Sequence, residues 1–189
     1  MMKKISINHP DAIKETLLAL KLNKIIVYPT DTIYGIGTDI NNNEGIYRIN
    51  HLKGRTSPMS IIAPNFHSIV DKLILNEDQK DKLLPIIDSG NTAIIEFKKG
   101  AFNSLITKDH KIGFRVPNDQ FLKKVLYEHG SFVTTTSINL TGEKPLNDPE
   151  EIEKKFGREI DLLIDGGKIH GKSASAIYIF EKNKISQIR

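Results

Sequence analysis

Apolar positions along this chain switch repeatedly between a spacing of three to four residues and short alternating or unbroken runs. Those switches mark its elements. Ile13, Thr16, Leu17 and Leu20 fall on one helical face, so a helix is expected over Asp11–Leu22. Ile46, Ile49 and Leu52 form a second stripe, with Asn43 as its cap and Gly54 as its stop. Two further helical stretches are expected near Phe66–Leu73 and Glu77–Ile87. Phe121, Leu122, Val125 and Leu126 define another, capped by Asn118 and closed by Gly130. Asp148-Pro149-Glu150-Glu151 opens the last helix with a cap, a proline at the first position and acids in the first turn, and Gly157 ends it. Between these stripes IIVYP, MSIIA, TAIIEF, IGFRV and FVTTT read as strands, starting at Ile25, Met59, Thr92, Ile112 and Phe132. DLLID, AIYIF and KISQI close the chain. The alternation is that of an α/β protein with a mixed sheet and flanking helices. Three closing strands with no helix between them argue against a purely parallel, doubly wound sheet.

Length and composition narrow the picture. A chain of 189 residues is of single-domain size, and no repeat, low-complexity tract or linker divides it. The absence of cysteine removes disulfides, thiolate zinc sites, iron–sulfur clusters and thiol nucleophiles together. No apolar run approaches the roughly 20 residues of a membrane-spanning helix. MMKKISINHPD has no apolar stretch after its lysines, so no secretory signal is read and a cytoplasmic location, away from membranes, is expected. The net charge of +4 is mild; it fits a lysine-rich solvated surface or a basic groove for phosphates or RNA. His51, His67, His110, His129 and His170 lack metal-ligand spacing, so no metal site is expected and the histidines are read as surface residues.

GGKIHGKS, from Gly166 to Ser173, matches G-x-x-x-x-G-K-[ST], but its context does not. A phosphate-binding loop of that type needs a helix after it, and ASAIYIF reads as a strand. The segment is therefore read as a glycine turn between strands, with Gly166, Gly167 and Gly171 supplying positive φ, or as a loop that closes over a ligand.

Candidate chemistry sits elsewhere. YPTDTIYGIG, Tyr28–Gly37, sets Thr30 and Thr32 two apart at a strand end and follows them with Gly35 and Gly37. In extended chain those hydroxyls share a face, and the glycines admit close approach of a ligand; a turn with local threonine caps is the alternative. Lys53 and Arg55 follow a helix end, where they either complement its dipole or clamp phosphate. Arg115 lies in a strand between Phe114 and Val116, facing either a polar cleft or solvent. Ser137 and Asn139 place a hydroxyl and an amide at another strand end, suited to ribose or phosphate oxygens or else part of a Ser/Asn-rich turn with a glycine stop; Ser173 and Ser175, entering a late strand, read by themselves as ordinary turn serines.

Taken in order, YPTDTIYGIG, KGR, FRVP, S-x-N before LTG, and a late GG…SA before a strand resemble the YrdC/Sua5 family of threonylcarbamoyl-AMP synthases, in its short form. The resemblance runs from about Ile25 to Phe180 and implies one domain over 1–189, an open twisted sheet with a concave, basic active-site face. It also implies a reaction: L-threonine, bicarbonate and ATP, with Mg²⁺, give threonylcarbamoyl-adenylate and pyrophosphate. The adenylate would pass to a tRNA threonylcarbamoyl transferase complex acting at adenosine 37, with tRNA itself a further possible ligand. By the same resemblance Lys53 and Arg55 are the catalytic cations and hold ATP phosphates. Thr30, Thr32, Arg115 and Ser175 bind substrate, Thr30 and Ser175 at the threonine end, and Ser57, Ser137 and Asn139 bind nucleotide. The chain departs from the family pattern in three places. The spacer Thr56-Ser57-Pro58 is one residue shorter, Ile138 replaces a small residue and is expected to point into the core, and Ala176 replaces a hydroxyl. The competing reading is a module of the same fold that binds RNA without making an adenylate.

Overall fold

Ile25 and Val27 pack on one side of a sheet, and Ile26 and Tyr28 on the other, so this strand is buried on both faces. The same split recurs at Ile61 against Ile62 and at Leu163 against Leu162 and Ile164. These pairs come from a computed structural model that describes residues 2–55, 58–181 and 184–189. Its strands are β1 (Lys3–Ser6), β2 (Ile26–Tyr28), β3 (Gly35–Gly37), β4 (Ser60–Ile62), β5 (Thr92–Glu96), β6 (Lys111–Arg115), β7 (Val133–Ser137), β8 (Leu162–Asp165), β9 (Ile177–Glu181) and β10 (Lys184–Gln187). Its helices are α1 (Ala12–Lys21), α2 (Asn43–Lys53), α3 (His67–Val70), α4 (Glu77–Asp88), α5 (Gln120–His129) and α6 (Pro149–Phe156).

The strands form one mixed sheet in the order β1-β8-β2-β3-β7-β4-β6-β5-β9-β10. Pairs β1/β8, β2/β8, β4/β6 and β5/β9 are parallel, and the remaining neighbours antiparallel. Helices cover one face through Ile46 and Ile49 of α2, Leu83 and Ile87 of α4, and Ile152 and Phe156 of α6. On the other face α1 and α5 bury Leu20, Leu122, Val125 and Leu126 against Ile5, Ile26, Tyr28 and Val133. Each such side chain contributes about 1.5–3 kcal/mol by leaving water. Ile138 is fully buried in the first of these cores, as its place in S-I-N implied.

Several local expectations shift. Asn42, not Asn43, caps α2, its side chain accepting from the Gly45 N–H. Asp119, not Asn118, caps α5, accepting from Leu122 N–H, while Asn118 donates to the Asp88 carbonyl. A cap must stand just outside the first helical residue, and in both places two suitable residues adjoin. Gly54 and Gly130 do end their helices, in left-handed conformation at φ 64° and 70°. β1 escapes the pattern because Ile5 alone is buried in it. β3 hides within the glycine-rich motif. Gly37 makes room for protein, not ligand: a Cβ there would lie 1.8 Å from the Thr134 carbonyl oxygen of β7. The Gly166–Ser173 segment joins β8 to β9 with no helix, so it is not a phosphate loop of the strand–loop–helix kind. Gly167 and Gly171 take positive φ (78° and 66°); Gly166 does not, and is small because Pro29 packs against it.

His129 is not a surface residue. Its side chain is 7% exposed, and Nε2 lies 2.6 Å from Asp39 Oδ2. Burial alone would raise the Asp39 carboxyl pKa, but bonds from His129, the Asn41 N–H and Ser131 bring it below the ordinary value. A depressed carboxyl pKa contributes stability above the unfolded value, near 4, and loses it as pH falls through the folded value. His129→Phe should therefore cost about 1–3 kcal/mol at neutral pH by taking the buried partner from Asp39 Oδ2, while Oδ1 keeps the Asn41 N–H. Urea unfolding should show that gap narrowing as the medium is acidified below about pH 4.

Candidate active site

The part of the sheet face that α1 and α5 leave uncovered is lined largely by polar residues. Thr135 and Ser137 of β7 share a side with Val133, and Ser60 sits opposite Thr135 in the ladder. Arg115 ends β6, Thr92 and Ile94 come from β5, Ile177 opens β9, and Ser175 lies just before it. Together with the β2–β3 turn they line a cleft of about 300 Å³.

The turn is built by its own threonines. Thr30 Oγ1 donates to the Ile33 carbonyl at 2.7 Å and accepts from the N–H groups of Thr32 and Ile33 at 3.0 and 3.1 Å. Local capping and cleft lining are thus both true of Thr30. Thr32 Oγ1 lies 3.0 Å from Thr30 Oγ1 and accepts from Arg115 Nη1 at 3.1 Å. Arg115 Nη2 donates to both Asp31 oxygens, at 2.7 and 2.9 Å. This pair is 8% and 20% exposed. Arg115 thus faces the cleft, tied to Asp31, a partner the motif reading passed over.

Ser175 is buried, and its hydroxyl lies 3.0 Å from that of Thr92. Its carbonyl accepts from Nε and Nη2 of Arg189, at 3.1 and 2.9 Å. Arg189 lines the cleft and escaped the sequence reading, since a lone arginine past the last strand has no spacing to mark it. Burial first, then the charge of Arg115, pushes its pKa below the ordinary arginine value. Arg55 lines the same cleft, and burial pushes it down as well. Among the described residues Arg55 and Arg189 have no ion-pair partner, and the buried Nε atoms of Arg55 and Arg115 have no hydrogen-bond acceptor. Three guanidiniums around one carboxylate leave a site that an anion would neutralise.

Lys53 and Asn139 stand together behind the cleft wall. Lys53 is 3% exposed, and its Nζ donates to the carbonyls of Ser137 (2.6 Å) and Asn139 (2.9 Å) and to Asn139 Oδ1 (3.0 Å). Burial first, then Arg55, lowers its pKa to about 8. Asn139 Nδ2 donates to the carbonyls of Leu140 and Glu143, which fixes the amide's orientation. Ser137, which does line the cleft, donates its Oγ proton to Asn139 Oδ1 at 2.6 Å and so presents lone pairs to the cleft. Ser57 lies outside the described residues.

The Gly166–Ser173 loop reaches the rim. Tyr34 Oη donates to the Gly167 carbonyl and accepts from the Gly166 N–H, both at 2.9 Å. Lys172 Nζ donates to the Asp31 carbonyl at 2.9 Å. Among the described residues no group of three or more His, Asp or Glu side chains could hold a metal ion, and no helix is long and apolar enough to cross a membrane.

Comparison with known proteins bears on this cleft. Residues 18–189 match the Sua5/YciO/YrdC family model, described as "Telomere recombination". The threonylcarbamoyl-AMP synthase of Photobacterium profundum is 27% identical over 161 residues, covering 82% of this chain and 87% of its own. Among solved structures, E. coli YciO superposes with a TM-score of 0.89 at 22% identity, over 100% of this chain and 95% of its own. P. abyssi Sua5 complexed with L-threonine superposes at 0.87 and 18% identity, over 100% of this chain and 57% of its own. At these identities the structural likenesses speak for the fold.

Proposed function

The chain belongs to the Sua5/YciO/YrdC family, and from that premise we infer that it is a threonylcarbamoyl-AMP synthase, an enzyme that makes threonylcarbamoyl-adenylate and pyrophosphate from L-threonine, bicarbonate and ATP. One observation carries the reading: Arg55, Arg115 and Arg189 meet the hydroxyls of Thr30, Thr32, Ser137 and Ser175 in a single cleft with one nearby carboxylate.

The chemistry asks for little else. Threonine's amine and bicarbonate condense to a carbamate with loss of water. A carbamate oxygen attacks the α-phosphorus, the bond from that phosphorus to its bridging oxygen breaks, and pyrophosphate leaves. The nucleophile is already anionic and needs no strong base. The barrier lies in bringing anions together, so fixed positive charge and oriented donors supply the catalysis. In this reading Arg55 and Arg189 face the polyphosphate. Arg115, with Thr32 and Ser175, holds the threonine end, and Thr30, whose hydroxyl is fully engaged within the turn, shapes the wall beside them. Ser137 accepts from a ribose hydroxyl, because its own proton is spent on Asn139. Magnesium arrives as part of the Mg²⁺–ATP substrate, bound mainly through the phosphates, as is usual for that ion. The adenylate then passes, in the cytoplasm, to a tRNA threonylcarbamoyl transferase complex.

Pyrophosphate release from ATP should depend on both threonine and bicarbonate, and omission of either should return it to background. Release that ignores either co-substrate would remove this reading. Absent release together with RNA affinity falling steeply with salt would favour the RNA-binding module.

A further inference from the structure

We propose that Lys53 is a positioning residue that does not touch the polyphosphate: its ammonium ties the end of α2 to the S-I-N segment and so holds Ser137 in place at the cleft. This rests on the synthase reading for its kinetic consequences, but not for its structural ones.

Three observations carry it. An ammonium has three protons, and Nζ has three acceptors within 3.0 Å: the Ser137 carbonyl, the Asn139 carbonyl and Asn139 Oδ1. None is left for a phosphate. The side chain is also 3% exposed and absent from the cleft lining, whereas Arg55, two residues on, lines it. Finally, the acceptors form a connected set. Asn139 Oδ1 takes the Ser137 hydroxyl proton as well as a Lys53 proton, and the Lys53 carbonyl accepts from the Thr141 N–H at 3.1 Å. Lys53 thus grips the segment through both side chain and backbone.

Such a strut is a costly way to bury a charge, which its lowered pKa of about 8 reflects. That cost is understandable where a chain reversal must present one hydroxyl in one orientation. The Ser137 carbonyl, the Asn139 amide and the Ser137 hydroxyl all turn about Nζ. Removing Nζ leaves two buried carbonyls and an amide oxygen short of a donor, and the segment must rearrange to find replacements. The expected loss at the cleft is therefore indirect.

The test compares Lys53→Met with Arg55→Ala in the full chain. In nucleotide-free protein, amide hydrogen exchange over residues 137–143 should quicken at least about tenfold in Lys53→Met and stay unchanged in Arg55→Ala, since burial with satisfied bonds is what protects an amide. Binding of inorganic pyrophosphate should weaken by less than about threefold in Lys53→Met but by tenfold or more in Arg55→Ala. Adenosine nucleotide binding should weaken in both. If Lys53→Met does not fold, Asn139→Ala provides the same comparison, because it removes the shared acceptor Oδ1. It should quicken the same segment while sparing pyrophosphate affinity. A variant that loses pyrophosphate affinity as Arg55→Ala does, with exchange of the segment unchanged, would make Lys53 a phosphate ligand and overturn the proposal. Exchange is read without turnover, so a chain with no synthase activity would still support or overturn the strut.

Discussion

Arg115→Met is expected to abolish measurable pyrophosphate release and to lower folding stability by about 3 kcal/mol. Both effects come from one arrangement. Arg115 Nη2 meets both oxygens of Asp31, and Nη1 meets Thr32, in a pair almost out of solvent. Taking away the cation leaves a carboxylate beside the cleft with no partner, and that orphaning costs far more than the pair gains over an apolar replacement. Asp31 would then repel the carboxylate and phosphates of the substrates, where the native pair is neutral. Denaturant unfolding gives the stability term. Pyrophosphate release, measured well below the unfolding midpoint, gives the catalytic one. A double variant, Arg115→Met with Asp31→Leu, should recover part of the stability and none of the activity. If it is less stable than Arg115→Met alone, the pair is not what holds this corner.

Arg55→Ala should behave in the opposite way for stability. A fall of about 10²- to 10³-fold in kcat/KM is expected, typical of losing one fixed donor to a developing charge. Stability should change by less than about 0.5 kcal/mol, because no ion pair among the described residues is broken. Burial, the main cause of the lowered Lys53 pKa of about 8, would remain, so losing the Arg55 charge should raise it only part of the way. Guanidine hydrochloride added to the variant should restore part of the activity by refilling the site with a free guanidinium. A variant with full activity would mean that the polyphosphate lies elsewhere.

Much of this was legible in the chain before any coordinates. Period-two alternation marks strands, and eight runs from IIVYP to KISQI land on strands within a residue or two. Gly54 and Gly130 end their helices because the left-handed turn favours them. What stayed hidden has physical reasons. β1 buries one residue, so it has no periodicity to detect. β3 is Gly-Ile-Gly, and its glycines answer to a neighbouring strand, which no local pattern reports. At the cleft, residue type and spacing drew out Thr30, Thr32, Arg55, Arg115 and Ser137 as candidates, the family resemblance added Ser175, and these line one volume. Spacing could not say that Lys53 and Asn139 bond to each other, because that contact joins residues 86 apart. Nor could it find Arg189 or Thr92, which matter only through the β5/β9 pairing. The hydroxyl-rich end of VTTTS was nonetheless a clue: Thr135, Thr136 and Ser137 line a cleft.

That floor of alternating residues has a further consequence. Thr92 adjoins Ala93, Ser60 adjoins Ile61, and Arg115 adjoins Phe114, each polar group one peptide bond from a fully or nearly fully buried one. A strand that slipped by a single position would push hydroxyls into the interior and oil into the substrate. Misregistered species thus have no route to partial competence. Turnover becomes a direct gauge of correct strand alignment, and substrate preference can drift only through swaps that leave the interleaved neighbour undisturbed.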